Sequence, residues 1–401
     1  MEKFFLKDLF DKPISGEWGT EIQDVSEGSP VIRTTNFTNI GEIDYNNLTY
    51  RNIDLALKEN KILKPGDIII EKSGGTPDNP VGRVVYFNEK NKKYFTNNFT
   101  AILRTINNND SKYLFYLLFY LHKKRVVLKF QNKTTGIINL QLNSYLKITS
   151  VKIPSLEIQE KVVKLLDTLR NLIKLRKVQI QVYDDLIESL FFKFIRSDYI
   201  HEISFDDLFE IIDGDRGKNY PKKNDLLEKG YCLFLNAKNV TKYGFKFDEL
   251  EFITEEKDKV LRKGRASCGD FILTTRGTVG NIAYIDEDIN FKNIRINSGM
   301  VILRKKMELN PKFFEIVIRK SDILNKAMSG SAQPQLPIKS LKKVNVPMID
   351  IKMQNKFAEY VIKIEEEKKK LRASLVELEI LFDALMQDAF SGNLFKEWEG
   401  R

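Results

Sequence analysis

Gly66-Asp67-Ile68-Ile69-Ile70 stands in the first half of the chain and Gly269-Asp270-Phe271-Ile272-Leu273 in the second. Each is a Gly-Asp turn opening a short β-branched or aromatic run, the pattern of a buried strand. Working outward from this pair, further matches follow in the same order, spaced by about 200 residues. Upstream, Lys7-Asp8-Leu9-Phe10-Asp11 answers Asp206-Asp207-Leu208-Phe209-Glu210. Thr35-Asn36 with Asn39-Ile40 answers Leu235-Asn236 with Asn239-Val240. Downstream, Val81-Gly82 with Val85-Tyr86 answers Val279-Gly280 with Ala283-Tyr284, and Asn97 with Ile102-Leu103-Arg104 answers Asn297 with Ile302-Leu303-Arg304. Gly136 with Gln141-Leu142 answers Gly330 with Gln335-Leu336, and Ile153-Pro154 answers Val346-Pro347. A period this long exceeds that of a solenoid, whose repeats run about 20–45 residues, so the chain is a duplicated domain.

Each copy reads as a mixed α/β region followed by a long helix. Strands are expected at Asp67–Glu71, Val81–Phe87 and Ala101–Thr105, and at Asp270–Thr274, Val279–Ile285 and Met300–Arg304. Helical stretches are expected at Asp110–Phe130 and Pro311–Ser329. From Leu156 to Arg196 the chain lacks Pro and Gly. Val162, Leu166, Leu169, Ile173, Arg176, Ile180, Tyr183, Ile187, Leu190 and Phe194 repeat there at alternating three- and four-residue steps. Phe357, Val361, Ile364, Lys368, Leu371, Leu375, Leu378, Phe382, Leu385 and Ala389 do the same in the second copy. This is the heptad of a coiled coil, with Arg176 and Lys368 as polar seam positions that can fix register. Helices of about 60 Å at 1.5 Å per residue are too long to bury their seams within a single small domain. The expected partner is the other helix of the same chain, in antiparallel pairing; packing on the globular parts and pairing between chains are the alternatives.

The chain of 401 residues has 42% apolar and 30% charged residues, a globular composition, and a formal net charge of +10. Two cysteines, Cys232 and Cys268, cannot make a disulfide framework. With only His122 and His201, little imidazole is available for metal or acid–base chemistry. The start of the chain is broken by charges, and the apolar run Tyr113–Leu121 is too short to span a bilayer, so a cytoplasmic protein is expected. The basic surplus suits a polyanion, nucleic acid first.

Two variable α/β regions, each followed by a long helix, in a basic chain of this size resemble the specificity (S) subunit of Type I restriction–modification systems. The resemblance rests on the two Gly-Asp strands and on Ile153-Pro154-Ser155-Leu156-Glu157-Ile158-Gln159 and Val346-Pro347 to Gln354, which look like the start of that family's spacer helices. The Pro-to-Gln gap is five residues in the first copy and seven in the second. The resemblance implies an α+β fold with target recognition domains at 1–153 and 199–346, a central spacer helix at 154–198 and a C-terminal one at 347–401. It implies that each domain reads one half of a bipartite target in double-stranded DNA, that the paired helices set the spacer, and that the chain docks two modification subunits and the restriction/translocase subunits. S-adenosylmethionine, ATP and Mg²⁺ would bind those partners, and no cofactor or metal would bind this non-catalytic chain.

The residues agree with that division. There is no Asn/Asp-Pro-Pro-aromatic sequence for adenine methylation; Asp78-Asn79-Pro80-Val81 lacks the second Pro and the aromatic. There is no Gly-x4-Gly-Lys-Ser/Thr phosphate loop. Asp67 and Glu71-Lys72 are not repeated as a nuclease cluster, and Asp67 and Asp270 read as turn residues. Base reading needs Arg or Lys for guanine and Asn or Gln for adenine. The expected DNA contacts are Arg33, Asn36, Lys72, Ser73, Arg83, Lys133, Thr134 and Thr135 in the first copy, and Thr275, Arg276, Asn281, Arg295, Asn297, Ser331 and Gln333 in the second. The competing reading is a coiled-coil scaffold or dimerisation protein with incidental charge; an autonomous nuclease or methyltransferase of unknown motif is a third.

Overall fold

The computed structural model describes residues 2–76, 79–106, 108–134, 137–195, 201–330 and 333–391; the side chains of Lys133 and Thr134 also lie outside the description. The chain divides into two compact units, Met1–Lys177 with Ser374–Arg401, and Val178–Ala373. This differs from a partition into two domains and two separate helices. The central helix Leu156–Ile195 and the C-terminal helix Ile351–Ser391 each give one part to one unit and the rest to the other, because their seams are the walls of the two cores.

In the first unit a four-stranded antiparallel sheet runs in the order Ile14–Ser15, Thr100–Leu103, Ile68–Glu71, Val84–Tyr86. Ser29–Ile32 pairs with Thr49–Arg51 and, in parallel, with Phe95–Thr96. Helix Ser111–Lys123 buries Tyr113 to Leu118 in the same core as the sheet. It ends sooner than the expected stretch Asp110–Phe130. Arg125 takes φ +57°, a left-handed conformation that stops the helix, and Val126–Phe130 follows as a 3-10 turn. Glu2–Phe5 pairs with Ser150–Ile153 immediately before the central helix.

The second unit repeats this plan. Its main sheet is ordered Phe209–Asp213, Met300–Lys305, Phe271–Thr274, Ile282–Tyr284; its helix is Pro311–Lys320; and His201–Ser204 pairs with Asn345–Met348 before the C-terminal helix. The pairing corrects one sequence match. Glu2 faces Ile153 and His201 faces Met348, so Pro154 corresponds to Ile349, and Pro347 lies inside the strand.

The duplicated signatures are two physical devices. Gly66 and Gly269 have φ +95° and +91°, which favours glycine at both turns. The following Asp accepts from a turn amide (Lys64 N to Asp67, 2.8 Å; Ser267 N to Asp270, 2.9 Å) and pairs with an arginine of the neighbouring strand, Arg104 or Arg304, with Nε–Oδ1 3.0 Å in both. Asp67 and Asp270 are therefore turn residues as read, with an ion pair added. The second device is a glutamine clamp. Gln159 Oε1 accepts from the backbone N–H of Asp110 at 2.9 Å, and its amide donates to Pro154 O at 2.9 Å. Gln354 repeats both bonds, to Asn310 N (3.0 Å) and Ile349 O (2.8 Å). Asp110 and Asn310 are the N-caps of the two domain helices, so each clamp ties a domain helix to the start of a long helix.

The long helices pack along the seams read from the heptads, and no seam residue is exposed. In the first unit Leu166, Leu169 and Ile173 share a core with Phe382 and Leu385, and Lys177 pairs with Glu379 at 2.9 Å. In the second, Phe194 meets Phe357 edge-on at 5.4 Å, and Lys368, half-way along the seam and buried, bonds to Asp184. The order of partners makes the pairing antiparallel.

Candidate nucleic-acid interface

The structure separates the expected contact residues into internal and outward groups. Asn36 is buried, and its amide donates to Asp44 O (3.0 Å) and Asn47 O (3.2 Å). Asn239 does the same with Lys246 O and Glu249 O, so Asn36 corresponds to Asn239 rather than Asn236. Arg33 Nη2 donates to Asn47 O at 3.2 Å in that loop. Arg83 forks onto Glu71 (2.9 and 2.8 Å) and reaches Thr34 O and Phe37 O. Its counterpart Asn281 donates to Val240 O at 2.9 Å. Both hold the same loop from below.

Arg295 is the clearest correction. Only 5% of it is accessible; its guanidinium is bonded to the fully buried Asp258 and donates to Lys263 O and Leu261 O. A buried carboxylate requires such a partner, and this arginine is committed to it. Asn297 accepts from Gly299 N at 2.9 Å within its turn, and the buried Thr275 hydroxyl donates to Gly299 O at 3.0 Å. These residues shape the platform and do not present themselves to a duplex edge.

Lys72, Ser73, Arg276 and Gln333 remain on the outward side. Lys72 Nζ donates to Ser15 Oγ at 3.0 Å and has no carboxylate partner among the described residues. Burial, helped by the charge of Lys61, holds its pKa below the ordinary lysine range. Such an amine gains from an arriving anion. Ser73 Oγ donates to Asn139 Oδ1 at 2.5 Å. Arg276 and Gln333 are exposed. Lys133 and Thr134 lie in the hairpin strand Gln131–Thr134, paired with Ile138 and Ile137, but their side chains are outside the description; Thr135 and Ser331 lie wholly outside the described residues.

Lys72, Ser73 and Arg276 sit at one recurring place. Lys72 N and Ser73 N both donate to Phe99 O, and Leu140 N donates to Lys72 O. Thr275 N and Arg276 N both donate to Gly299 O, and Leu336 N donates to Thr275 O. Lys72 and Ser73 therefore correspond to Thr275 and Arg276, and Asn139-Leu140-Gln141 to Gln335-Leu336-Pro337. This shifts the sequence match of Gln141-Leu142 with Gln335-Leu336 by two residues. A cleft opens at this place in each domain. The first, of about 470 Å³, is lined by Ser15, Lys72, Gln141, Asn143 and Ser144 among others. The second, of about 290 Å³, is lined by Asp213, Arg216, Arg276, Gln335 and Lys339 among others. Sequence reading missed Gln141, Arg216, Gln335 and Lys339 because the matched spacing hid the equivalence of the two loops. In the second copy Gln333 and Gln335 after the matched Gly330 were the available signal, whereas Gly136 is followed by Ile137-Ile138.

Among the described residues no group of three or more His, Cys, Asp or Glu is placed to hold a metal, and no helix is long and apolar enough to cross a membrane. A profile described as the Type I restriction modification DNA specificity domain matches residues 1–182 and again 200–377. The chain belongs to this family. It carries two tandem specificity domains, and DNA target recognition is the function of the fold it shares. Two solved structures match over nearly the full length. One is the S subunit of a Type I restriction-modification system from M. genitalium, with TM-score 0.56, 16% identity, and coverage of 97% of this chain and 96% of that one. The other comes from work on complex assembly and conformational transition of the type I R-M system, with TM-score 0.62, 15% identity, and 97% of each chain covered. At this identity the likeness concerns the fold. A search of curated protein sequences finds no significant match.

Proposed function

We propose that this specificity-family chain is the non-catalytic DNA-reading subunit of a Type I restriction–modification complex. Each domain reads one half of a bipartite target, and the paired helices set the unread spacer. The observation that carries this reading is the contrast between repeated and unrepeated residues. The Gly-Asp/Arg turn and the glutamine clamp recur with the same bonds, whereas Lys72, which lines one cleft, and its neighbours Ser73 and Asn139 are replaced by Thr275, Arg276 and Gln335, which line the other. A repeated scaffold with two different polar clefts suits two different half-sites.

Docking of two modification subunits and of restriction/translocase subunits belongs to the same proposal. It is supported by a second face of the central helix. Leu165, Leu172, Leu175, Val182 and Leu186 are exposed at heptad spacing, outside the seam that the C-terminal helix covers. An uncovered apolar stripe of this kind suits partner helices. S-adenosylmethionine, ATP and Mg²⁺ would then be bound by those partners, which would methylate adenine, translocate and cut.

Mapping methylated adenines in cells that express the chain with its modification subunits tests the proposal. A two-part motif is the expected result, and lengthening the helix Leu156–Ile195 should alter the gap between its halves. A scaffold without specific DNA binding would leave methylation unchanged by the chain.

A further inference from the structure

We infer that Arg276 and Gln335 form the base-reading pair of the second domain, with guanine as the base that Arg276 addresses; this rests on the proposed function above. The two residues are bridged as antiparallel neighbours, so their side chains leave adjacent backbone positions. The backbone beneath them is fixed at several points. Leu336 N donates to Thr275 O at 3.0 Å, Arg276 N to Gly299 O at 3.1 Å, and Ser329 and Gln335 exchange bonds of 2.8 and 2.9 Å. Both residues are exposed, and no described residue holds the guanidinium of Arg276.

That last point distinguishes Arg276 from the arginines nearby. Arg295 and Arg304 are paired with Asp258 and Asp270, and Arg216, across the cleft, is tied to Asp213 Oδ1 (3.0 Å) and Ser298 O (3.2 Å). A guanidinium with no partner among the described residues, beside an amide and on a backbone held by these bonds, offers a forked donor next to a donor–acceptor group. That set suits a major-groove edge, where guanine presents O6 and N7. A phosphate contact needs no such rigidity, and Lys339 at the rim of the same cleft suits that role. In the first domain the equivalent positions are Ser73 and Asn139, bonded to each other, so the first domain lacks the arginine reader and its half-site should differ.

The test is selection from a pool of randomised duplexes by the full chain assembled with its modification subunits, comparing wild type with Arg276→Ala, Arg276→Lys, Gln335→Ala and Lys339→Ala. Wild type should recover a two-part motif. Arg276→Ala should relax one G·C pair in one half, with roughly 5- to 150-fold loss of discrimination there, and leave the other half intact. Gln335→Ala should relax the same or the adjacent pair. Lys339→Ala should weaken binding to all sequences alike and lower its salt dependence. If Arg276→Ala binds too weakly to select, Arg276→Lys keeps the charge without the fork and should relax the same single pair. Recovery of the unaltered motif by both Arg276 variants would overturn the inference while leaving the DNA-reading function standing. Recovery of no motif by wild type would overturn that function itself.

Discussion

Gln159→Leu should cost the first domain about 2–4 kcal/mol of local stability. The side chain is 2% accessible and makes three bonds: Oε1 accepts from Asp110 N at 2.9 Å, and Nε2 donates to Pro154 O at 2.9 Å and to Asn109 Oδ1 at 3.0 Å. Leucine nearly conserves the volume, so little cavity forms, and the loss is polar. It leaves one backbone donor and one backbone acceptor without partners, at about 1–3 kcal/mol each. The lower part of the summed range applies because Asp110 is only half-buried, so water can replace some of what is lost there, while Pro154 is buried. Because the chain has two units, a single unfolding curve mixes them. Hydrogen exchange read by peptide is the appropriate assay. In Gln159→Leu, amides of helix Ser111–Lys123 and the first turns of the central helix should exchange about 30- to 1000-fold faster. Helix Pro311–Lys320 should be unaffected. Gln354→Leu should give the reverse pattern. If Gln159→Leu changes exchange in both domain helices equally, or in neither, the clamp does not have the role its bonds suggest.

Arg295→Leu should destabilise the second domain by about 3 kcal/mol, because it strips the fully buried Asp258 of its buried guanidinium and leaves it only the half-exposed Arg265; a fall in thermal midpoint checks this, and an unchanged midpoint refutes it. His122 is held below its ordinary pKa by burial, opposed by its bond to Pro80 O at 3.1 Å. The unfolded chain therefore binds the proton more readily, so stability is present above about pH 6.5 and is lost as pH falls through the lower folded value. His122→Gln should flatten this part of the stability–pH curve; an unchanged slope would show that other groups set it. Cys232 is buried with its pKa pushed up to about 12, mainly by desolvation, while Cys268 is exposed. Iodoacetamide at pH 8 should label the native chain once, at Cys268, and label Cys232 only after denaturation; two rapid native additions would contradict the burial.

The fold was largely legible because its two strongest signals are periodic or repeated. The heptads of Leu156–Arg196 and of its second copy demand a partner for each seam, and the antiparallel pairing supplies it. The Gly-Asp runs become central strands because a turn and a buried apolar run are local properties. Register was less legible. Pro154 and Pro347 look equivalent in sequence, yet strand pairing aligns Pro154 with Ile349, since proline is tolerated both before a helix and inside an edge strand. The site was the least legible part. Whether an arginine faces a duplex or a carboxylate depends on partners far away in sequence, such as Asp258 for Arg295, and no local pattern in Ile294-Arg295-Ile296 announces that pairing.

The net charge of +10 takes a narrower meaning from these contacts. Arg83, Arg104, Arg295 and Arg304 are each paired with a carboxylate inside a domain, so their charge does little to draw DNA. Repetition is a partial guide to which cations are internal. Arg104 and Arg304 recur and do the same work, whereas the counterpart of Arg276 is Ser73. It is not a sufficient guide, because Arg83 and Asn281 differ in identity and still support the same loop. Two conditions together isolate the outward set: no repeat of the residue type, and no internal partner for its charge. Among the described residues Lys72 and Arg276 meet both, and each lines its domain's cleft. Affinity for a polyanion depends on how many such cations displace counterions, while sequence preference depends on the few held rigidly enough to face a base edge. Neutralising Lys72 should therefore shallow the salt dependence of binding, whereas neutralising Arg276 should also alter which sequence is bound.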